Sequence, residues 1–413
     1  MALTRRSLLL GAGGAAVSAP ALLRAQPRGA RGTVAVIGAG VFGAWTAEHL
    51  RRAGRRVTLI DMAGPAHTRA SSGGESRMTR AGYGRDAIYS RMAMDSLAEW
   101  KALSLRSGLP IFIPHGVLFF TAKPDDYFTQ SLAVSRSLGL PIEELSRAQL
   151  TRRFPMIDFS GVELGMFEPR FGALMARRAV QTLVNRFVRA GGTYRKGAVL
   201  PLVSWSELGQ PDVRLNSGEP VRADQFVFAL GPWLSKIFPS VVGPRIRPTR
   251  QEVFFFAPPA GDARFLPNAM PGWADFNDGD IYYGFPDLES RGVKFAHDAH
   301  GPQVDPDTQD RRHSDAALAE VIAFRDRRFP LLKGAPLTES RVCQYENSSN
   351  GDFLIDFHPH LENVVIVGGG SGHGFKHGPE VGRYAAGLLT GSVKPEPRFS
   401  LASKSDAHKR EVH

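Results

Sequence analysis

The sequence predicts an α/β fold with a second, sheet-rich α+β domain, and three observations predict it. An apolar run, Val34 to Ile37, leads into Gly38-Ala39-Gly40-Val41-Phe42-Gly43 and then into a helical pattern. A second apolar run, Val364 to Val367, leads into another glycine loop, "GGGSGHGFK", near the C-terminus. Between the two lie several β-rich stretches, so the ends of the chain are expected to meet in one domain and the middle to build another.

In the first of these elements, Val34 to Ile37 read as a buried strand, Ala44 to Arg52 as a helix, and Gly54 stands where that helix stops. Val57 to Ile60 form the next strand, with Asp61 at its end. The glycine spacing has a physical meaning. Gly38 permits the tight turn, Gly40 lets the backbone approach a pyrophosphate, and Gly43 lets helix and strand pack closely. The helix N-terminus then offers free N–H groups and a positive dipole end to the phosphates. Asp61 is placed to accept hydrogen bonds from the ribose hydroxyls, and its charge would repel a 2′-phosphate, which argues against NADP. The motif by itself does not separate FAD from NAD.

The segment "AGPAHTRASSGGESRMTRAGYG" follows, a glycine- and serine-rich loop whose Arg69, Arg77 and Arg80 point to an anionic neighbour. "HGVLFFTAK" is expected as a strand, followed by an amphipathic helix to about Leu138. Residues 175–192 read as a helix ended by glycines, and "VFALGPWLSK" as a strand entering a turn at Gly231. "RQEVFFF", "IYYGFP" and "VKFAH" are expected strands. "DPDTQDRRHSDAALAEVIAFRDRRF" is expected to be mostly helical, and the chain ends in a buried strand, a glycine loop and a final helix.

The 413 residues exceed what one core usually serves, so two domains are expected. The composition, 43% hydrophobic and 22% charged, is that of a globular protein. The first 25 residues, with Arg5-Arg6, a short apolar stretch and a small residue at Ala25, read as a twin-arginine (Tat) export signal, which places the mature protein in the periplasm. No later stretch reaches the ~18 apolar residues of a membrane helix, so no membrane anchor is expected. The net charge of +11 comes without a lysine-rich run or a nucleic-acid motif, so no nucleic acid partner is expected. A basic surface that steers anionic substrates is the better reading. The single cysteine, Cys343, excludes an internal disulfide.

Taken in order, "GAGVFG", "PAHTRASSGGESRMTRAGYG", "IYYGFP", "GVKFAH", "RVCQYENSSNGDFLID" and "GGGSGHGFKHGPEVG" resemble the monomeric sarcosine oxidase and N-methyltryptophan oxidase group of the D-amino acid oxidase superfamily. The resemblance runs from about Thr33 to Ser400, and its last two motifs are the specific ones. It implies a glutathione reductase/D-amino acid oxidase-like fold, with a discontinuous FAD-binding domain from 30–112, 168–236 and 343–400. A substrate domain would come from 113–167 and 237–342. It implies FAD as cofactor, held by Gly38, Gly40, Gly43, Asp61, Ser72, Arg77, Gly370, Gly372 and Gly374, and linked as a thioether through Cys343. A thiolate is the soft nucleophile that such a link requires. It implies further that Lys294 promotes the reaction with O2 and that Arg80 and Lys376 hold a substrate carboxylate. His373 either tunes the flavin or is a hydrogen-bonded structural histidine, and Tyr283 and Tyr345 are either pocket or sheet aromatics. No metal is implied, and the protein is expected to act as a monomer.

The implied activity is FAD-dependent oxidation of a secondary amino acid, N-methyl or cyclic, to an imine, with O2 reduced to H2O2. Gly73 and Gly74 stand where the group carries two histidines, Asp298 and His377 are further departures, and the glycines imply a roomier pocket for a bulkier amine. Three alternatives stand: a flavin dehydrogenase that passes electrons to a quinone or carrier, an NAD-dependent dehydrogenase, and a non-catalytic flavin-binding protein.

Overall fold

The computed structural model describes residues 32–202, 211–276, 281–299 and 301–409. The twin-arginine segment lies outside the described residues. Two large sheets dominate. In the first, strand β1 (Thr33–Ile37) lies between β2 (Arg56–Asp61) and the strand Gln225–Phe228, parallel to both. Thr193–Lys196 adds to the β2 edge, and Leu361–Gly368 pairs in parallel with Gln225–Phe228. Leu354–His358 closes the other edge in the antiparallel sense. The strand before and the strand after the middle of the chain therefore share one sheet, as the two glycine loops predict.

Alternation along β1 explains the layers. Val34 and Val36 point into one apolar core with Trp45 and Leu50 of helix α1 (Val41–Arg52), Trp100 and Val381. Ala35 and Ile37 point into another with Phe226, Phe228 and Leu234. Both faces of the sheet are covered, so its strands are apolar without interruption, which is the pattern of a parallel sheet. The helix α1 begins at Val41 rather than at Ala44, because the turn at Gly38 to Gly40 already aims the chain along the helix axis.

The second sheet has eight strands, in the order Leu337–Ser348, Ile246–Phe256, Val293–His297, Tyr282–Phe285, Gly272–Asp275, Val117–Thr121, Leu164–Glu168 and Glu143–Ser146. One face packs on the helix Asp315–Arg328, where Trp273 stacks on Phe324 with centroids 5.8 Å apart. The other face is turned to a cavity. Register decides which side chain goes where: Phe254 pairs with Phe295 and Phe255 with Lys294. Val293 and Phe295 enter the core while Lys294 takes the cavity face, and a one-residue slip would exchange them. A small third sheet, Ser76–Thr79 with Gly172–Met175 and Phe112–Pro114, positions the loop arginines.

The segment from Asp305 is helical over its larger part, as expected, with the helix starting at Asp315. Ser314 caps that start, its hydroxyl accepting the Ala317 N–H at 3.3 Å, and the preceding acids are used elsewhere, Asp305 and Asp307 on Lys236. The 21-residue helix Ala87–Ser107 was not anticipated by the sequence reading. Among the described residues no helix is long and apolar enough to cross a membrane.

Candidate active site

The site is built where the two large sheets meet. The strand Leu337–Ser348 runs along this junction, paired with Ile246–Phe256 so that Gln251 faces Cys343 and Thr249 faces Tyr345. A cavity of about 360 Å³ lies on the six-stranded side, bordered by Gly38, Gly40, Asp61, Ser72, Glu346 and Gly370. A second, of about 140 Å³, is bordered by Arg80, Tyr283, Lys294, Asp298, Cys343 and Lys376. Arg77, Tyr345 and Gly372 border both, so the cavities adjoin.

The larger cavity suits a dinucleotide. At Gly38 φ is +103°, and a Cβ there would lie 2.2 Å from the Ala229 carbonyl oxygen. A Cβ on Gly43 would lie 1.9 Å from the carbonyl oxygen of Gly38. No other residue type lets the turn and helix come this close, and the closeness aims the first N–H groups of α1 into the cavity. Ser72 fixes that helix start, its hydroxyl accepting the Val41 N–H at 3.0 Å. Asp61 does more than the sequence reading assigns it. One carboxylate oxygen accepts the Ala39 N–H at 2.8 Å and the other those of Ala63 and Gly64 at 2.9 and 2.8 Å. It ties the glycine turn to the loop that follows β2 while bordering the cavity.

The smaller cavity carries the charge. Arg77 donates to the carbonyls of Ser76 and Ser71 at 2.8 and 2.6 Å, and its guanidinium lies 3.5 Å from the Cys343 sulfur. Lys294 is 3% exposed and donates to the Ser76 carbonyl at 3.2 Å. Burial, reinforced by the Arg77 charge, holds its amine down to about 7. On another wall, Arg80 donates to the Gly82 carbonyl and to Tyr127, and its guanidinium sits over the Tyr83 ring, 4.1 Å from the centroid. Lys376 donates to the Tyr83 hydroxyl at 2.7 Å and to the His373 carbonyl at 2.8 Å. Burial and the nearby Arg80 hold it well below the usual lysine range. An arriving carboxylate would relieve the cost of holding a charge on Lys376 beside Arg80.

One expectation fails in the structure. Gly73 and Gly74 do not enlarge the pocket: the space of their absent side chains is taken by the His67 carbonyl, 2.0 Å from a Cβ on Gly73, and by the Arg77 guanidinium, 2.7 Å from one on Gly74. His373 has both ring nitrogens engaged, with Tyr83 at 3.3 Å and the Gly351 carbonyl at 3.1 Å, and stacks on Phe353. It borders the cavity as a held, structural histidine. Tyr345 and Tyr283 both border the smaller cavity, and Tyr345 donates to Asp298 at 3.0 Å.

Two residues went unnoticed in the sequence. The Tyr83 hydroxyl is shared by Lys376, by His377 at 2.7 Å and by His373. Its place in "RAGYG", three residues after Arg80, was the available signal. Glu168 is buried with its carboxylate on the Ala81 N–H, and burial pushes it up to about 7 despite the Arg80 and Lys376 charges. An acid inside the apolar run "LGMFE" marks it.

Comparison with known proteins decides the family. The family described as FAD dependent oxidoreductase matches residues 33–388. The chain belongs to this FAD-dependent oxidoreductase family. Within it, monomeric sarcosine oxidase from Bacillus sp. (strain NS-129) is 30% identical over 386 residues, covering 92% of this chain and 98% of that protein. N-methyl-L-tryptophan oxidase from Salmonella arizonae is 28% identical over 373 residues, 89% and 96% of the two chains. Among solved structures, L-proline dehydrogenase from P. horikoshii has a TM-score of 0.77 at 20% identity, over 90% of this chain and 97% of that one. It shows the fold of this flavoprotein family. The glycine turn, the α1 N-terminus and Asp61 are the residues that would hold the FAD.

Proposed function

We propose that the protein is an FAD-dependent amine oxidase that converts a secondary amino acid, N-methyl or cyclic, to an imine while O2 becomes H2O2. The observation that carries this reading is the arrangement of the smaller cavity, with Arg80 and Lys376 on one wall and Lys294 and Arg77 on another, opening into the dinucleotide cavity. The relatives named above, which oxidise N-methylated amino acids by their names, support it.

FAD held in the larger cavity would supply the two-electron redox chemistry that links the amine to O2. The chain supplies the rest. Arg80 grips the substrate carboxylate and Lys376 adds a point charge that the carboxylate itself restores. The same positive wall favours the neutral amine, whose lone pair has to be free before the neighbouring C–H bond breaks. The amine loses two electrons and two protons, and O2 gains them. Lys294, protonated, places a charge where anionic character develops on oxygen. Cys343, its sulfur 3.5 Å from the Arg77 guanidinium, is the attachment point of the flavin in this reading.

The test is anaerobic addition of N-methyl and cyclic amino acids to the yellow protein. Bleaching of the flavin colour, with peroxide on admission of air, is expected. No bleaching by any of them would reject the amine oxidase assignment, and bleaching without peroxide would point to another electron acceptor. Acid precipitation should leave the colour with the polypeptide, and Cys343→Ser should release it. The monomeric state is proposed from the name of the Bacillus relative, and sedimentation tests it. Periplasmic export is proposed from Arg5-Arg6, and replacing both by lysine should retain the protein in the cytoplasm.

A further inference from the structure

Glu346 is a buried carboxyl that none of the roles above uses. It is 7% exposed and borders the dinucleotide cavity. One carboxyl oxygen accepts the Gly370 N–H at 3.3 Å, and the other, Oε2, is buried with no hydrogen-bond partner among the described residues. A buried polar atom left unpaired is destabilising, so a group absent from the polypeptide is expected to meet it.

Position identifies that group. Asp61 and the Gly38–Gly43 turn mark the adenosine and pyrophosphate end of the cavity. Cys343 and Arg77 mark the flavin end. Glu346 follows Cys343 by three residues on one strand, roughly 10 Å of chain. At its other side it meets the first turn of α1, because Gly370 is bordered at once by Glu346 Oε1 and by the ring of Phe42. Between a pyrophosphate and an isoalloxazine the cofactor offers a polyol.

We propose that Glu346 is a cofactor-binding residue whose Oε2 takes a ribityl hydroxyl of FAD. The inference rests on the chain binding FAD. Burial, opposed by the Gly370 and Gly369 N–H groups, pushes this carboxyl up to about 8. At neutral pH it therefore carries a proton and both donates and accepts, as a hydroxyl requires, and it sets no negative charge beside the pyrophosphate.

The test uses the full chain carrying Cys343→Ser, so that the flavin is exchangeable, alone and with Glu346→Leu or Glu346→Gln. FAD is titrated by flavin fluorescence, and ADP, which has no ribityl group, by calorimetry. Glu346→Leu is expected to weaken FAD by about tenfold or more, and Glu346→Gln, which keeps the hydrogen bond, by less than about threefold. ADP should bind all three proteins alike, which also reports an intact fold. Equal FAD affinity with and without Glu346→Leu would overturn the proposal. So would a parallel loss of FAD and ADP, which would assign Glu346 to the fold. Failure of the parent itself to bind FAD would overturn the cofactor assignment and this inference with it.

Discussion

Replacing Lys294 by methionine should stabilise the flavin-free protein at acid pH and slow its reaction with oxygen when loaded. The amine is buried, has the Ser76 carbonyl at 3.2 Å and hydroxyl at 3.5 Å, and lies near the faces of Phe285, Tyr283 and Phe255. Burial and Arg77 hold it at about 7, whereas a lysine in the unfolded chain titrates near ~10.4. Between these values the unfolded chain binds one proton more than the folded one, so stability rises with pH by about 1.4 kcal/mol per pH unit. Below pH 7 both states are protonated, and the folded protein carries the whole cost, roughly 5 kcal/mol. Methionine has similar length and no charge. Lys294→Met is therefore expected to raise stability by several kcal/mol at pH 6, after allowance of about 1 kcal/mol for the lost hydrogen bond, and to lose that advantage by pH 10. Urea unfolding at pH 6, 8 and 9.5 measures it. A stability difference that does not change with pH, or a less stable Lys294→Met protein at pH 6, would refute the buried-amine argument. In the loaded protein, bleaching by substrate should survive while reoxidation by O2 slows by about 10²-fold.

Arg80→Lys should raise KM for the amino acid by about 10²-fold while kcat changes less, because the bidentate grip and the stacking on Tyr83 are both lost. Turnover of the same amine lacking a carboxylate should be unaffected, and equal effects on both substrates would exclude carboxylate binding there. Tyr83→Phe removes an acceptor of the Lys376 ammonium, which depresses that amine further. The basic limb of the kcat/KM profile should move to lower pH for the amino acid and stay in place for the amine without a carboxylate. Gly43→Ala forces a methyl group onto the Gly38 carbonyl and should cost about 1–3 kcal/mol or more, read as a lower Tm and a lower flavin content in the purified protein.

How much was legible depended on whether a signal was local. The βαβ unit was readable to its glycines, because the turn, the close packing and the helix start impose residue types within a dozen positions. Strands such as Val293–His297 were readable by alternation, and alternation also says that Lys294 and Phe295 face opposite ways. It does not say which face is the cavity; the pairing with Ile246–Phe256 decides that. The helix Ala87–Ser107 was legible and missed: Tyr89, Ala93, Ser96, Leu97, Trp100 and Leu103 lie on its buried stripe, and Gly108 ends it with φ +67°. The helix from Asp315 was legible as part of a longer segment but its start was not, because the charged residues at 305–312 also suit a helix in isolation, whereas Lys236 and Arg250 bind that stretch. Glu168 and Tyr83 matter through partners 87 to 294 residues away, and no local pattern announces such pairs. The reading of Gly73 and Gly74 as spare room failed for the same reason, since what fills the space is a carbonyl and an arginine.

The order of strands in the parallel sheet has a consequence for biosynthesis. Thr33–Ile37 emerges first from the ribosome, yet its sheet neighbour Gln225–Phe228 comes nearly two hundred residues later, and that strand's other flank is Leu361–Gly368. Until translation passes Gly368 the nucleotide half has an open edge and lacks the glycine loop that completes its pocket. The cleft for the flavin is therefore finished only once the second glycine loop joins the first, and a chain terminated before that point is left without it.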